Sequence, residues 1–125
     1  MFVPTNPNPI GLYTSDCVIR ALAIAQGQSW EKTYLELSMQ GFKMGDWGSS
    51  NLVWSAYLKD KGYRRYSIPD TCPDCYTVAD FCEDYPQGTY ILATGTHVVT
   101  VIDGNHYDTW NSANEPIIFY WKKER

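Results

Sequence analysis

Positive charge is scarce in this chain of 125 residues, where ten Lys and Arg stand against fourteen Asp and Glu for a formal net charge of −4. The only basic clusters are Arg64-Arg65 and Lys122-Lys123, both short. Nucleic acid and anionic membrane are therefore poor partners, since each is bound through clustered Lys and Arg. Long apolar runs are also missing, so no segment reads as a membrane span. The start, Met1-Phe2-Val3-Pro4, has no basic region followed by an apolar stretch, and it carries no recognisable signal peptide. These absences point to a reducing, cytoplasmic setting in which the four cysteines are thiols or ligands and not a disulfide framework. There is no internal repeat and no low-complexity segment. The Gly45-Asp46-Trp47-Gly48 loop lacks the lysine and spacing of a phosphate loop. Charged residues at 19% and apolar residues at 44% describe a chain that can build a core, and its length fits one domain over 1–125.

Residues 1–13 hold Pro4, Pro7, Pro9 and Gly11 and read as an irregular N-terminal arm. A mainly helical half follows over 14–84. Its first helix, Cys17 to Gln26, is preceded by the N-cap residues Thr14, Ser15 and Asp16 and followed by Gly27. A second, from Trp30 to Met39, is capped by Ser29, carries an apolar stripe at Trp30, Tyr34, Leu35 and Leu37 or Ser38, and is ended by Gly41. The third is capped by Ser49 or Ser50, has Leu52, Val53, Ala56 and Tyr57 as its apolar positions, and ends near Lys61. After a short strand from Tyr63 to Ile68, the capping box Thr77-Val78-Ala79-Asp80 opens a fourth helix reaching about Asp84. From 89 to 121 the character changes. Thr89–Thr94, His97–Ile102, Tyr107–Trp110 and Ile117–Trp121 are rich in Tyr, Val, Ile and Trp and are parted by turn residues. They predict an antiparallel meander. Helices first and strands second give an α+β fold, with the helical half on one side of the sheet.

The chemistry begins at Cys17, where an irregular segment turns into a helix that is apolar on nearly every side except at Arg20 and Gln26. A helix start carries about half a positive charge and directs unpaired N–H groups outward, which favours thiolate over thiol. Two readings follow from the residue itself. Cys17 is a nucleophile at a cleft, or it is a packed core thiol, the commoner fate of free cysteine. His97 tips the choice. It stands after Gly95-Thr96 at the start of the strand His97-Val98-Val99-Thr100-Val101-Ile102, the one polar ring in an apolar run, and a neutral imidazole near a thiol is a general base. A hairpin at Asp103-Gly104 returns the chain so that Tyr107-Asp108-Thr109-Trp110 lies alongside. Asp108 is then within cross-strand reach to hold the other ring nitrogen, and Asn111 is the alternative.

An N-terminal Asp-Cys-Val-Ile-Arg-Ala helix, a late Gly-Thr-His-Val-Val-Thr-Val-Ile-Asp-Gly strand and turn, and Tyr-Asp-Thr-Trp on the next strand together resemble a compact papain-like cysteine peptidase. The order Cys, His, Asp is that of the superfamily, and the likeness is to its small members in bacteria and their phages. The resemblance implies a papain-like fold and a thiol hydrolase with Cys17 as nucleophile, His97 as base and then acid, and Asp108 as orienting residue. It implies a tetrahedral oxyanion held by the Cys17 N–H and a preceding side-chain amide, then an acyl-enzyme. Many papain-like enzymes carry a glutamine a few residues before the cysteine. Here Asn8 is the best substitute and Asn6 the next, against a plain turn role between Pro7 and Pro9. The expected substrate is a protein or peptide, cut by a peptidase or isopeptidase or altered by a deamidase, and the chemistry needs no cofactor. The contrasting function is an inactive papain-like binding module acting on a partner protein.

Other features weigh less. Cys72, Cys75 and Cys82 are three thiols at zinc-like spacing without a fourth ligand, so no metal is expected. Cys82 reads as core, and the loop pair as incidental or open to oxidation. His106, at the hairpin, reads as exposed. Among the aromatics, Trp47 in its glycine-rich loop and Trp110 after the candidate triad residue, with Asn111, are the candidates for flanking a cleft.

Overall fold

In the computed structural model, which describes residues 1–124, four helices and six strands form an α+β fold. In chain order they are β1 (Phe2–Pro4), α1 (Cys17–Gln26), α2 (Trp30–Met44), α3 (Asn51–Asp60), β2 (Tyr63–Ser67), α4 (Val78–Asp84), β3 (Thr89–Ala93), β4 (Val98–Ile102), β5 (Asn105–Asp108) and β6 (Phe119–Lys123). The sheet runs β1-β5-β4-β3-β6-β2. β3, β4 and β5 form the expected antiparallel run, but β6 returns to pair with β3 on its other edge. β1 pairs with β5 in parallel, which makes the sheet mixed. The arm over 1–13 is thus not wholly irregular, since its first residues form an edge strand. A proline is tolerated there because Pro4 closes an edge strand of three residues.

The helices do not all lie on one side of the sheet. β3 and β4 are buried on both faces, and their period of two sends alternate residues to different partners. Ile91, Ala93 and Val98 join Val18, Leu22, Trp54 and Trp121 under α1 to α3. Tyr90, Leu92, Val99 and Val101 join Val78, Phe81 and Cys82 under α4. Doubly covered strands read as continuous apolar runs without alternation. That is why β3 and β4 are recognisable as strands in the sequence while the face that α4 covers is not.

The boundaries show where local rules held. α1 has the predicted span, and Gly27 closes it in the left-handed region at φ 63°. Thr77 and Asp80 make the capping box in full, with Thr77 N–H donating to Asp80 Oδ2 at 2.9 Å and Asp80 N–H to Thr77 Oγ1 at 3.3 Å. The Asp103-Gly104 turn has both residues at positive φ, 50° and 77°, as a two-residue hairpin requires. α2 runs past Gly41 to Met44 and is closed by Gly45. Its buried stripe is Thr33, Leu37 and Gly41, while Tyr34 and Leu35 are exposed. Leu52 likewise faces out of α3. β5 starts two residues earlier than expected and ends at Asp108, leaving Trp110 beyond the strand.

Gly41 stays inside α2 because the following loop is folded back on it. A Cβ there would lie 2.5 Å from the Asp46 carbonyl oxygen and 2.9 Å from the Gly48 nitrogen. Gly41→Ala is therefore expected to destabilise the protein by about 1–3 kcal/mol, despite alanine's better helix propensity. Urea denaturation checks this, and a gain in stability would mean that the loop does not pack on the helix.

Candidate active site

α1 begins at Cys17, which places the half-buried thiol in the first turn with its sulfur next to the start of β4. The His97 ring and the Val98 backbone N–H are the neighbours that favour its thiolate. On its other side, His97 Nε2 lies 2.5 Å from Asp108 Oδ2. With Nε2 engaged by the carboxylate, Nδ1 is the nitrogen left for the thiol. His97 precedes β4 by one residue and Asp108 ends β5. The Thr100↔Tyr107 register puts the two diagonally across one pair of strands, close enough for side chains to meet.

Asp108 is 2% exposed and His97 8%, so each bond acts with little competition from water. Asp108 is held by more than the imidazole. Ser112 Oγ donates to Oδ2 at 2.8 Å and the Thr109 N–H to Oδ1 at 2.8 Å, while Arg20 Nη2 approaches Oδ1 at 3.4 Å. Burial pushes this carboxyl upward, yet the hydrogen bonds from His97 and Ser112 outweigh it and hold it below the usual carboxylate range. Burial of the His97 ring opposes its charged form. Asp108 first and Cys17 next overcome that and push His97 up to about 9. Burial also opposes the Cys17 thiolate, but the His97 and Val98 hydrogen bonds, helped by the charges of His97 and Arg20, bring the thiol below its ordinary value. The site is arranged to carry a thiolate beside an imidazolium.

The residue whose part in the site the sequence left unassigned is Arg20. It is 6% exposed, and its guanidinium joins Asp16 at the head of α1, through Nη1 to Oδ1, with Asp108 at the end of β5. The remaining Asp16 oxygen accepts from Trp30 Nε1 at 2.9 Å. Asp16 occupies the N-cap position without a side-chain capping bond, because its carboxylate is turned to Arg20 one helical turn on. An arginine four residues after an aspartate in an otherwise apolar helix was the signal available for this pair. Ser112 had no comparable signal, since its place depends on how the chain turns after β5.

Tyr13, Thr14, Ser15, Thr96, Thr109 and Trp110 line the cleft around Cys17 and His97, together with Arg20. Trp110 stacks obliquely on the His97 ring at 4.8 Å, as a cleft-flanking residue should. Asn111 is elsewhere. Its Oδ1 is 3.1 Å from Nε2 of His106, so the alternative orienting residue serves the other histidine. His106 is not exposed as expected but buried at 3%, with its ring 5.3 Å from Phe2. The parallel pairing of β1 on β5 covers it.

Asn8 is buried but does not line the cleft. Its Oδ1 accepts from the Ile10 N–H at 3.1 Å, and its own N–H donates to Asn6 Oδ1 at 3.2 Å, while Asn6 Nδ2 reaches the Leu12 carbonyl at 3.3 Å. Both asparagines therefore hold the turns of the arm. Asn8 and Trp47 line a second, adjoining cavity. Cys72 and Cys75 are joined in a disulfide, so the loop pair is oxidised and is not the pair of thiols or ligands expected of a reducing setting. Cys82 is a buried free thiol whose ionisation is pushed up by burial. Among the described residues no group of three or more His, Cys, Asp or Glu is placed to hold a metal, and no helix is long and apolar enough to cross a membrane.

Comparison with protein-family models, with curated proteins and with solved structures finds no match to this chain.

Proposed function

We propose that this protein is a cysteine-dependent hydrolase of the papain-like kind, acting on an amide bond of a protein or peptide through Cys17, His97 and Asp108. The observation that carries the reading is the His97 ring, which shares one cleft with Cys17, lies 2.5 Å through Nε2 from Asp108 Oδ2 and favours the Cys17 thiolate. The Cys17 thiolate attacks the carbonyl carbon, and the carbonyl electron pair moves to oxygen. The Cys17 backbone N–H, at the positive end of α1, is the donor suited to that oxyanion. Imidazolium His97 gives its proton to the departing amine as the C–N bond breaks, and a thioester remains. Neutral His97 then takes a proton from water, whose oxygen attacks the thioester and releases the acid and the thiolate. Asp108 keeps the ring in the orientation that presents Nδ1 to sulfur, and it stabilises the imidazolium. Ammonia as leaving group makes the same sequence a deamidation.

The pH dependence tests this directly. Turnover of an amide is expected to rise with Cys17 ionisation, below the ordinary thiol value of about 8.5, and to fall near about 9 as His97 loses the proton it must donate. Alkylation of Cys17 by iodoacetamide needs only the thiolate, so it should follow the rising limb and show no fall near 9. Two coincident profiles would count against His97 as the acid, and a single titration at the free-thiol value would remove the catalytic reading altogether.

A second reading, a papain-like binding module without turnover, is favoured by one observation. No side-chain amide lines the Cys17 cleft, so the oxyanion has one evident donor where papain-like catalysis expects two. A reactive Cys17 that forms an acyl-enzyme from an activated ester yet cleaves no amide would support that reading.

A further inference from the structure

Beside the Cys17 cleft lies a second cavity of about 560 Å³, of the size that takes a small organic group. The two share Thr14 and Ser15, so the cavity opens beside the nucleophile across the two residues before the head of α1. Its walls include Ile10, Leu12, Ile19, Trp30, Leu37 and Trp47. Ile10, Leu12 and Trp47 are 82%, 53% and 82% exposed, a cluster of apolar side chains left in water around one opening. The one charged residue in the lining, Asp16, is already committed to Arg20 and Trp30. Neither a cation nor an anion would find a partner there.

The direction of the cleft says which part of a substrate this cavity faces. His97 must reach the leaving group to protonate it, so the leaving group lies toward His97, Thr96 and Trp110. The acyl substituent then extends from the carbonyl carbon to the other side of Cys17, over Thr14 and Ser15. We propose that this cavity is the acyl-side specificity pocket of the enzyme and selects a substrate with an uncharged aromatic or large aliphatic group next to the scissile carbonyl. The inference rests on the thiol chemistry proposed above. Trp47 and Ser38, an exposed residue of α2, both stand in its lining.

The test compares two activated esters, p-nitrophenyl acetate and p-nitrophenyl 3-phenylpropanoate. In each, the Cys17 sulfur bonds to the acyl carbon while the ester C–O bond breaks, and its electron pair leaves on p-nitrophenolate. The thioester is then hydrolysed by water. The rate of the nitrophenolate burst is divided by the rate of the same ester with glutathione, which removes intrinsic reactivity. The parent protein should favour the phenylpropanoate by about tenfold or more, the scale set by burying one phenyl group. Ser38→Trp, which fills the cavity, and Trp47→Ala, which removes a wall at an exposed position, should each bring the ratio below about 3. Two variants of opposite design keep the test decisive if one fails to fold. An acetate burst that depends on Cys17, with no preference for the phenyl ester or with a preference that survives both variants, overturns the pocket assignment and leaves the thiol chemistry standing. Loss of the burst with both esters, in a protein whose Cys17 is also slow toward iodoacetamide, overturns the two together.

Discussion

Replacing His97 by alanine is expected to slow alkylation of Cys17 by iodoacetamide at about pH 6 by one to two orders of magnitude. At that pH a thiol with the ordinary value of about 8.5 is roughly 0.3% ionised. Full ionisation would set a ceiling of about 300-fold on the gain. Low-pKa thiolates are intrinsically weaker nucleophiles, with a Brønsted coefficient of about 0.4–0.5, which takes back a large part of the advantage. Cys17 owes its lowered value mainly to the His97 hydrogen bond, acting against burial, with Val98 and Arg20 adding to it. The variant keeps Val98 and Arg20, so some depression should survive. Mass spectrometry of the peptide carrying Cys17 separates it from Cys82, which is buried and disfavours ionisation. Equal rates in parent and variant would mean that the imidazole does not activate this sulfur, and the chain would be better pursued as a binding protein.

Replacing Arg20 by leucine should cost about 3–5 kcal/mol of folding stability. Leucine fits an apolar helix at least as well as arginine does, so propensity and packing do not predict the loss. It comes from the partners left behind. Asp16 and Asp108 are 5% and 2% exposed, and removing the cation between two buried carboxylates leaves desolvated charge without compensation. Arg20→Lys should recover only part of it, because an ammonium lacks the planar fork by which Nη1 meets Asp16 while Nη2 reaches Asp108. Arg20→Leu also removes a positive charge that favours the Cys17 thiolate, so the acid limb of the alkylation profile should move upward. Urea denaturation reads the first effect and the alkylation profile the second. A loss below about 1 kcal/mol would show that these carboxylates are hydrated and that Arg20 is not their partner.

Arg20 also marks the boundary between local and tertiary information. An arginine in the run Cys-Val-Ile-Arg-Ala-Leu-Ala is conspicuous in the sequence, and Asp16 one turn earlier is a visible partner. That the same guanidinium reaches residue 108 depends on how α1 lies on the end of β5. The same division runs through the arm. Its prolines argued against regular structure, which holds for residues 5–13, but the pairing of Phe2–Pro4 with β5 is a property of the sheet edge and not of the tripeptide. Asn8 was a reasonable oxyanion candidate by its distance along the chain. The turn it closes with Ile10 answers the local chemistry of Asn between prolines, and that chemistry prevailed.

What the sequence by itself determined was whatever short-range sterics and hydrogen bonding decide. The span of α1 from Cys17 to Gln26 and its closure by Gly27, the Thr77–Asp80 box, the Asp103-Gly104 hairpin and the strand character of β3 and β4 all belong there, and so do Cys17 at a helix start and His97 at a strand start. The hairpin carried Asp108 into range of His97 because an antiparallel register fixes a diagonal neighbour once the turn is known. Only the tertiary structure decided which edge of β3 receives β6, that α4 covers the face opposite α1, that Asn111 serves His106 while Ser112 serves Asp108, and that Gly41 lies under its own loop. Each of these is a contact between segments far apart in the chain or separated by an irregular turn. Apolar burial drives such contacts without direction, and only the packing of the whole chain selects among them.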